Sequence, residues 1–137
     1  MRRGRERFAG SAASPLGAPA ALAGRRAFEP REMSIQELRL EWSEAQFQSA
    51  VEGELLRGGW RFYHTRDSRG SRRGFPDLVA VRSGRLVFAE LKTMTGGLEA
   101  EQPEWLSDLG DVASSAELVE VYLWRPSDWD VVEGVLR

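Results

Sequence analysis

Gly74-Phe-Pro-Asp-Leu-Val-Ala-Val-Arg-Ser-Gly-Arg-Leu-Val-Phe-Ala-Glu-Leu-Lys92 reads as two short strands folded about a tight turn. Asp77 to Val81 and Leu86 to Leu91 are rich in β-branched and apolar residues, and Arg82-Ser-Gly-Arg85 between them is a hairpin signal of the two-residue kind. With Ser83-Gly84 as the turn, Arg82 pairs with Arg85, and counting outward sets Val81 against Leu86, Val79 against Phe88 and Asp77 against Glu90. Side-chain alternation puts Lys92 on the face of Glu90, one step along. A three-residue loop would break this parity, so the inference depends on the turn.

Two acids directly opposite one another on a sheet face repel unless something neutralises them. Opposed carboxylates beside an ammonium suit a hard divalent cation such as Mg²⁺, which prefers oxygen ligands and keeps several waters. Asp77 and Glu90 are the candidate ligands, the main-chain carbonyl of Leu91 is a further oxygen, and Glu44 can add another through a water if its helix crosses the sheet. The plainer reading makes Pro76-Asp77 a turn entry and Glu90 with Lys92 an ordinary surface pair. The conjunction of both across one hairpin favours the metal site.

Outward from the hairpin, in the stretch from Trp42 to Arg57, Phe47, Ala50, Val51 and Leu55 mark the inner face of a helix capped by Ser43 and stopped by Gly58-Gly59. Trp60 to Thr65 reads as a strand, and 66–74 as an exposed basic loop. Gln102-Pro103 opens a helix bearing Trp105, Leu106, Leu109 and Val112, Leu118 to Trp124 is a strand, and a capping box at Ser127 to Asp130 precedes a last helix, Asp128 to Leu136. The order α-β-β-β-α-β-α predicts an α/β domain, a mixed four-stranded sheet flanked by helices, over residues 34–137. Residues 1–33, with seven Arg, eight Ala, four Gly and three Pro and no structural period, are expected to be a disordered tail, with translation from Met33 as another reading.

The chain has 137 residues and no cysteine, which excludes a disulfide framework and a zinc-cysteine cluster, and no apolar run approaches a membrane span. A cytoplasmic protein without a membrane partner is expected. The net charge of -2 conceals a segregated distribution: residues 61–73 carry five Arg against Asp67, while residues 98–137 carry ten acids against Arg125 and Arg137. A local basic stripe binds phosphates whatever the total. Of the 19 basic residues only Lys92 is lysine, a compact ammonium where Arg would be bulkier.

Gly74-Phe-Pro-Asp77, Glu90-Leu-Lys92 and Gln102 at the head of a helix with Trp105 and Leu106 resemble the PD-(D/E)xK nuclease superfamily. More closely, the chain from about Ser43 to Leu136, including Glu44-x-x-Phe-Gln48 and Gly59-Trp60, is similar to stand-alone VRR-NUC (virus-type replication-repair nuclease) domains. The resemblance implies a restriction-endonuclease-like fold and Mg²⁺- or Mn²⁺-dependent endonuclease cleavage of DNA. Branched or four-way (Holliday) junction DNA is the implied substrate, in recombination, repair or phage DNA processing, and a homodimer the implied working form in a bacterial or phage-infected cell.

On that reading Asp77, Glu90, Lys92 and Gln102 are catalytic. Asp77 and Glu90 bind metal, Lys92 orients the attacking water and offsets charge on the phosphate, and the amide of Gln102 holds a phosphate oxygen or that water. Arg66, Arg69, Arg72, Arg73 and His64 are candidate DNA contacts, the alternatives being a solvated loop and a strand-end packing residue. Trp105, Trp124 and Trp129 fall at core spacings. A non-catalytic DNA-binding module, or a ribonuclease or restriction-type nuclease on the same fold, are the competing functions.

Overall fold

Among the described residues the first element follows Ser34, one residue beyond Met33. The computed structural model describes residues 30–65 and 69–137; most of the expected tail, and Arg66, lie outside the described residues. The elements are α1 (Ile35–Leu40), α2 (Glu44–Arg57), β1 (Arg61–His64), β2 (Leu78–Arg82), β3 (Arg85–Leu91), α3 (Gln102–Ser115), β4 (Val119–Trp124), a 3-10 turn (Pro126–Asp128) and α4 (Trp129–Leu136).

Helix α1 is an addition to the expected order. The Ser34 hydroxyl accepts from the Glu37 amide at 3.2 Å and the Glu37 carboxylate from the Ser34 amide at 2.8 Å, a reciprocal cap that starts the helix. The element has six residues and none is buried, too short a run for its Ile35 and Leu38 to stand out as a helical period.

Helix α2 starts at Glu44, directly after the expected cap Ser43, because Ser43 and Gln46 cap each other in the same way. Phe47, Val51 and Leu55 are fully buried, as their spacing requires. Its end is a Schellman motif: Trp60 N–H reaches Leu55 O at 2.9 Å and Gly59 N–H reaches Leu56 O at 3.2 Å. Gly59 supplies the left-handed residue, at φ +72°.

Among the described residues the sheet has four strands in the order β1-β2-β3-β4, with β1 and β3 antiparallel to β2 and β4 parallel to β3. The α/β class and the mixed sheet are those expected. Ser83 and Gly84 lie at φ +50° and +81°, the double left-handed step of a type I′ turn, whose twist matches that of the strands it joins. The register follows as expected: Arg82 faces Arg85, Val81 faces Leu86 and Val79 faces Phe88.

Alternation then divides the sheet into two faces. Leu78, Ala80, Val87, Ala89 and Leu91 join Phe47, Val51 and Leu55 of α2, and Trp129, Val132 and Leu136 of α4, in one core. Deleting a side chain such as that of Phe47 there costs about 3–5 kcal/mol. The other face carries Val79 and Phe88, and Phe75 bridges it to α3, edge-on to Phe88 at 6.0 Å and to Trp105 at 5.1 Å between centroids. Helix α3 is thus the crossover that two parallel strands require.

The expected capping box at Ser127 to Asp130 does not form. Pro126 opens a 3-10 turn instead, the Asp128 carboxylate accepts from the Arg125 amide at 2.8 Å, and α4 starts at Trp129 without a side-chain cap. No helix among the described residues is long and apolar enough to cross a membrane.

Candidate active site

Asp77 lies one residue before β2 begins, and Glu90 one residue before β3 ends. Extending the β2–β3 register by one residue sets Asp77 opposite Glu90, and their hydrogen bonds fix that relationship. Asp77 N–H donates to Glu90 Oε2 at 3.2 Å, and Leu91 N–H donates to Asp77 Oδ2 at 3.0 Å. Lys92 Nζ lies 3.4 Å from Glu90 Oε1, with the two side chains 14% and 2% exposed. Burial first, and then the neighbouring Asp77 charge, push the Glu90 carboxyl up to about 7 against the pull of Lys92.

Gln102 comes to the same group from α3. Its Nε2 donates to Glu90 Oε1 at 2.6 Å while its Oε1 accepts from the Glu99 amide at 2.6 Å. The amide expected to hold a phosphate oxygen or water here holds a carboxylate. Lys92 is fixed from behind, where its N–H donates to Trp124 O at 3.0 Å, and Arg125 Nη1 clamps the next loop through Thr93 O at 2.5 Å and Gly96 O at 2.6 Å. The head of α3 depends on Gly74: at φ +91°, a Cβ there would lie 2.6 Å from Glu101 C and O and 2.9 Å from Gln102 N.

These residues form part of the wall of a cleft of ≈ 1020 Å³, which Glu44, Gln48, His64, Arg69, Arg72 and Arg73 also line. Glu44 is exposed, and among the described residues no three His, Asp or Glu side chains converge on one point. Glu44 therefore lines the cleft without completing a three-acid cluster with Asp77 and Glu90. His64 Nδ1 meets Gln48 Nε2 at 3.2 Å. Arg73 is tied to α3 by Trp105, whose indole N–H donates to Arg73 O at 3.0 Å. Trp124 and Trp129 are buried as expected, whereas Trp105 is half-buried in the cleft wall. Sequence reasoning gave no role to Gln48, Tyr63 or Thr65, which line the cleft as well. For Gln48 the signal was its place one turn beyond Glu44.

The donor set is hard and oxygen-rich. Within a strand the N–H and C=O of one residue point the same way, so the Leu91 carbonyl turns toward the Asp77 side, where its amide already bonds. Two carboxylates, a main-chain carbonyl and an open cleft fit a small divalent cation that retains waters.

No family model matches the chain, and no curated protein matches it. Among solved structures, the Holliday junction resolvase Hjc of Archaeoglobus fulgidus is similar, with a TM-score of 0.40 and 24% sequence identity over 58% of this chain. The likeness spans 66% of that chain, just under two thirds.

Proposed function

We propose that residues 34–137 form a nuclease domain that hydrolyses phosphodiester bonds in DNA with Mg²⁺ or Mn²⁺. The observation that carries the reading is the opposition of Asp77 and Glu90 across the open end of a hairpin, with Lys92 beside Glu90, in a cleft flanked by arginines. A binding module has no use for two acids facing a phosphate. Asp77, Glu90 and the Leu91 carbonyl would hold the cation, which when bound lowers the pKa of a water and offsets charge on the phosphate.

The chain's own residues supply the rest. Lys92, set by its bond to Trp124, presents an ammonium to the attacking water and to the negative charge of the transition state. Gln102 fixes the rotamer of Glu90 so that the carboxylate needs no reorganisation. The arginines of the loop before Gly74 draw the phosphate backbone into the cleft without reading sequence.

The sequence resemblance adds branched DNA as the substrate class and a twofold dimer, which would supply the two centres a four-way junction needs, in the cytoplasm of a bacterial or phage-infected cell. The test is incubation with linear duplex, single-stranded, flap and four-way junction DNA and with RNA, in Mg²⁺, Mn²⁺ or EDTA, with light scattering for the dimer. Metal-dependent DNA cleavage abolished by Lys92→Ala is expected. No cleavage of any substrate with either metal would sink the reading.

A further inference from the structure

Glu52 in α2, Gln48 one turn earlier and His64 at the end of β1 make a chain of hydrogen bonds beside the cleft, apart from the Asp77 and Glu90 pair. Gln48 Nε2 lies 3.2 Å from Glu52 Oε1 and 3.2 Å from His64 Nδ1. An ionised carboxylate only accepts, so the Gln48 atom facing Glu52 is the amide nitrogen, and its two hydrogens serve the two neighbours. An amide NH₂ only donates. His64 Nδ1 is therefore the acceptor and carries no proton, which places the proton of the neutral ring on Nε2.

We infer that His64 is a neutral N–H donor, locked in one tautomer, that binds a phosphate oxygen of the nucleic-acid strand in the cleft, with Gln48 and Glu52 as its positioning residues. The ligand follows from chemistry: Nε2–H is the polar group His64 has left to offer, it only donates, and non-bridging phosphate oxygens only accept. Arg69, Arg72 and Arg73 in the same wall select for an anion. Glu52 acts at one remove. Were Gln48 to turn over and offer its oxygen to the ring, that oxygen would also face the Glu52 carboxylate, so Glu52 holds the amide and the amide holds the tautomer. This inference rests on the nuclease reading for its ligand and on the hydrogen bonds alone for its tautomer.

His64 is the only histidine in the chain, so ring nitrogen signals need no assignment in the untagged, ¹⁵N-labelled full chain. In EDTA and without DNA, long-range ¹H–¹⁵N spectra are expected to show a protonated Nε2 and a bare Nδ1. Glu52→Gln, a residue that does not touch the ring, should populate the opposite tautomer, because an amide at position 52 can donate to a turned Gln48. Adding a duplex oligonucleotide should move the Nε2–H signal, and inorganic phosphate at equal concentration should not. In fluorescence anisotropy, His64→Ala should weaken oligonucleotide binding on the order of tenfold. His64→Asn, which keeps an N–H donor, should recover part, and Glu52→Gln should lose a smaller factor.

A proton on Nδ1 in the wild-type protein, or a tautomer indifferent to Glu52→Gln, overturns the relay. A ring signal unmoved by an oligonucleotide that does bind overturns the donor role, and an equal response to inorganic phosphate assigns the site to a free anion instead. Wild-type protein that binds no oligonucleotide overturns the nuclease reading and this ligand together, and is told apart because the tautomer is read without DNA.

Discussion

Glu90 Oε2 accepts the main-chain amide of Asp77 at 3.2 Å, while the Asp77 carboxylate accepts the amide of Leu91, the residue after Glu90, at 3.0 Å. Each acid thus closes the hydrogen bonding of the other's strand at the end of the hairpin. The two acids are held together by these main-chain donors and by Lys92, 3.4 Å from Glu90, against the burial that pushes the Glu90 carboxyl up.

The first prediction separates charge from hydrogen bonding at Asp77. Asp77→Asn keeps an oxygen for the Leu91 amide but removes the charge, so cleavage should be lost while urea unfolding without metal stays within about 1 kcal/mol of wild type. Asp77→Ala should lose cleavage too, and in addition about 1–3 kcal/mol, the cost of a part-buried amide without its acceptor. Equal stability of the two variants would show that the bond to Leu91 contributes nothing. Near-wild-type activity in either would remove Asp77 from the site.

Glu90 should make the metal-free protein sensitive to pH. Its folded-state pKa, raised to about 7, exceeds the ordinary value of 4.5, so the folded protein holds the proton more tightly than the unfolded chain. The resulting stabilisation is complete below about pH 4.5 and is lost as pH rises through about 7. In EDTA the Glu90 contribution should therefore fall between pH 5 and pH 8 by on the order of 1–3 kcal/mol. Glu90→Gln should flatten that part of the profile, and Mg²⁺ should raise the Tm of the wild type most at pH 8. Identical pH slopes for wild type and Glu90→Gln would place the titration elsewhere.

The hairpin, and with it the opposed acids, was legible because a two-residue turn fixes parity, and parity fixes every later pair on both strands. Helix α1 was not, since a six-residue element with no buried side chain leaves only its cap to read, at Ser34 and Glu37. Gln102 could be placed on the inward side of α3, but its choice of Glu90 over a phosphate depends on where the crossover lands, which local pattern does not contain. The same holds for Gln48 and His64, sixteen residues apart and joined only when α2 lies across the end of β1. The box expected at Ser127 failed for a local reason, because Pro126 favours a turn that starts one step earlier and takes Asp128 for Arg125.

Gly74 offers a test of how closely the head of α3 must fit. Gly70 and Gly74 both have left-handed backbones, at φ +88° and +91°, but nothing lies within 4 Å of a Cβ at Gly70, whereas one at Gly74 would meet the Glu101 backbone at 2.6 Å. Gly70→Ala should cost only the conformational term, about 1–2 kcal/mol. Gly74→Ala carries that cost and also displaces the residues preceding Gln102, so it should be the less stable of the two and lose most cleavage through the Gln102 to Glu90 bond. Equal activity of the two variants would mean that Glu90 keeps its position without Gln102.

The last prediction concerns the path of the bound strand. Arg69, Arg72 and Arg73 line the cleft that holds the two carboxylates, and the bond from the Trp105 indole to Arg73 O ties Arg73 to α3. Charge held in place beside the reacting phosphate releases counterions on binding without reading bases. Replacing the three arginines by Ala should therefore weaken binding equally for all sequences, and reduce the slope of log affinity against log salt by about 0.9 for each duplex phosphate no longer neutralised. Trp105→Phe keeps the ring against Phe75 but removes the N–H that holds Arg73. It should leave that slope nearly intact while lowering kcat, because the charges remain but their register against Asp77 and Glu90 is lost. Anisotropy titrations from about 50 to 200 mM salt, beside single-turnover cleavage, separate the two effects. An unchanged slope in the triple variant would move the strand off this wall of the cleft and leave the three arginines as solvated surface.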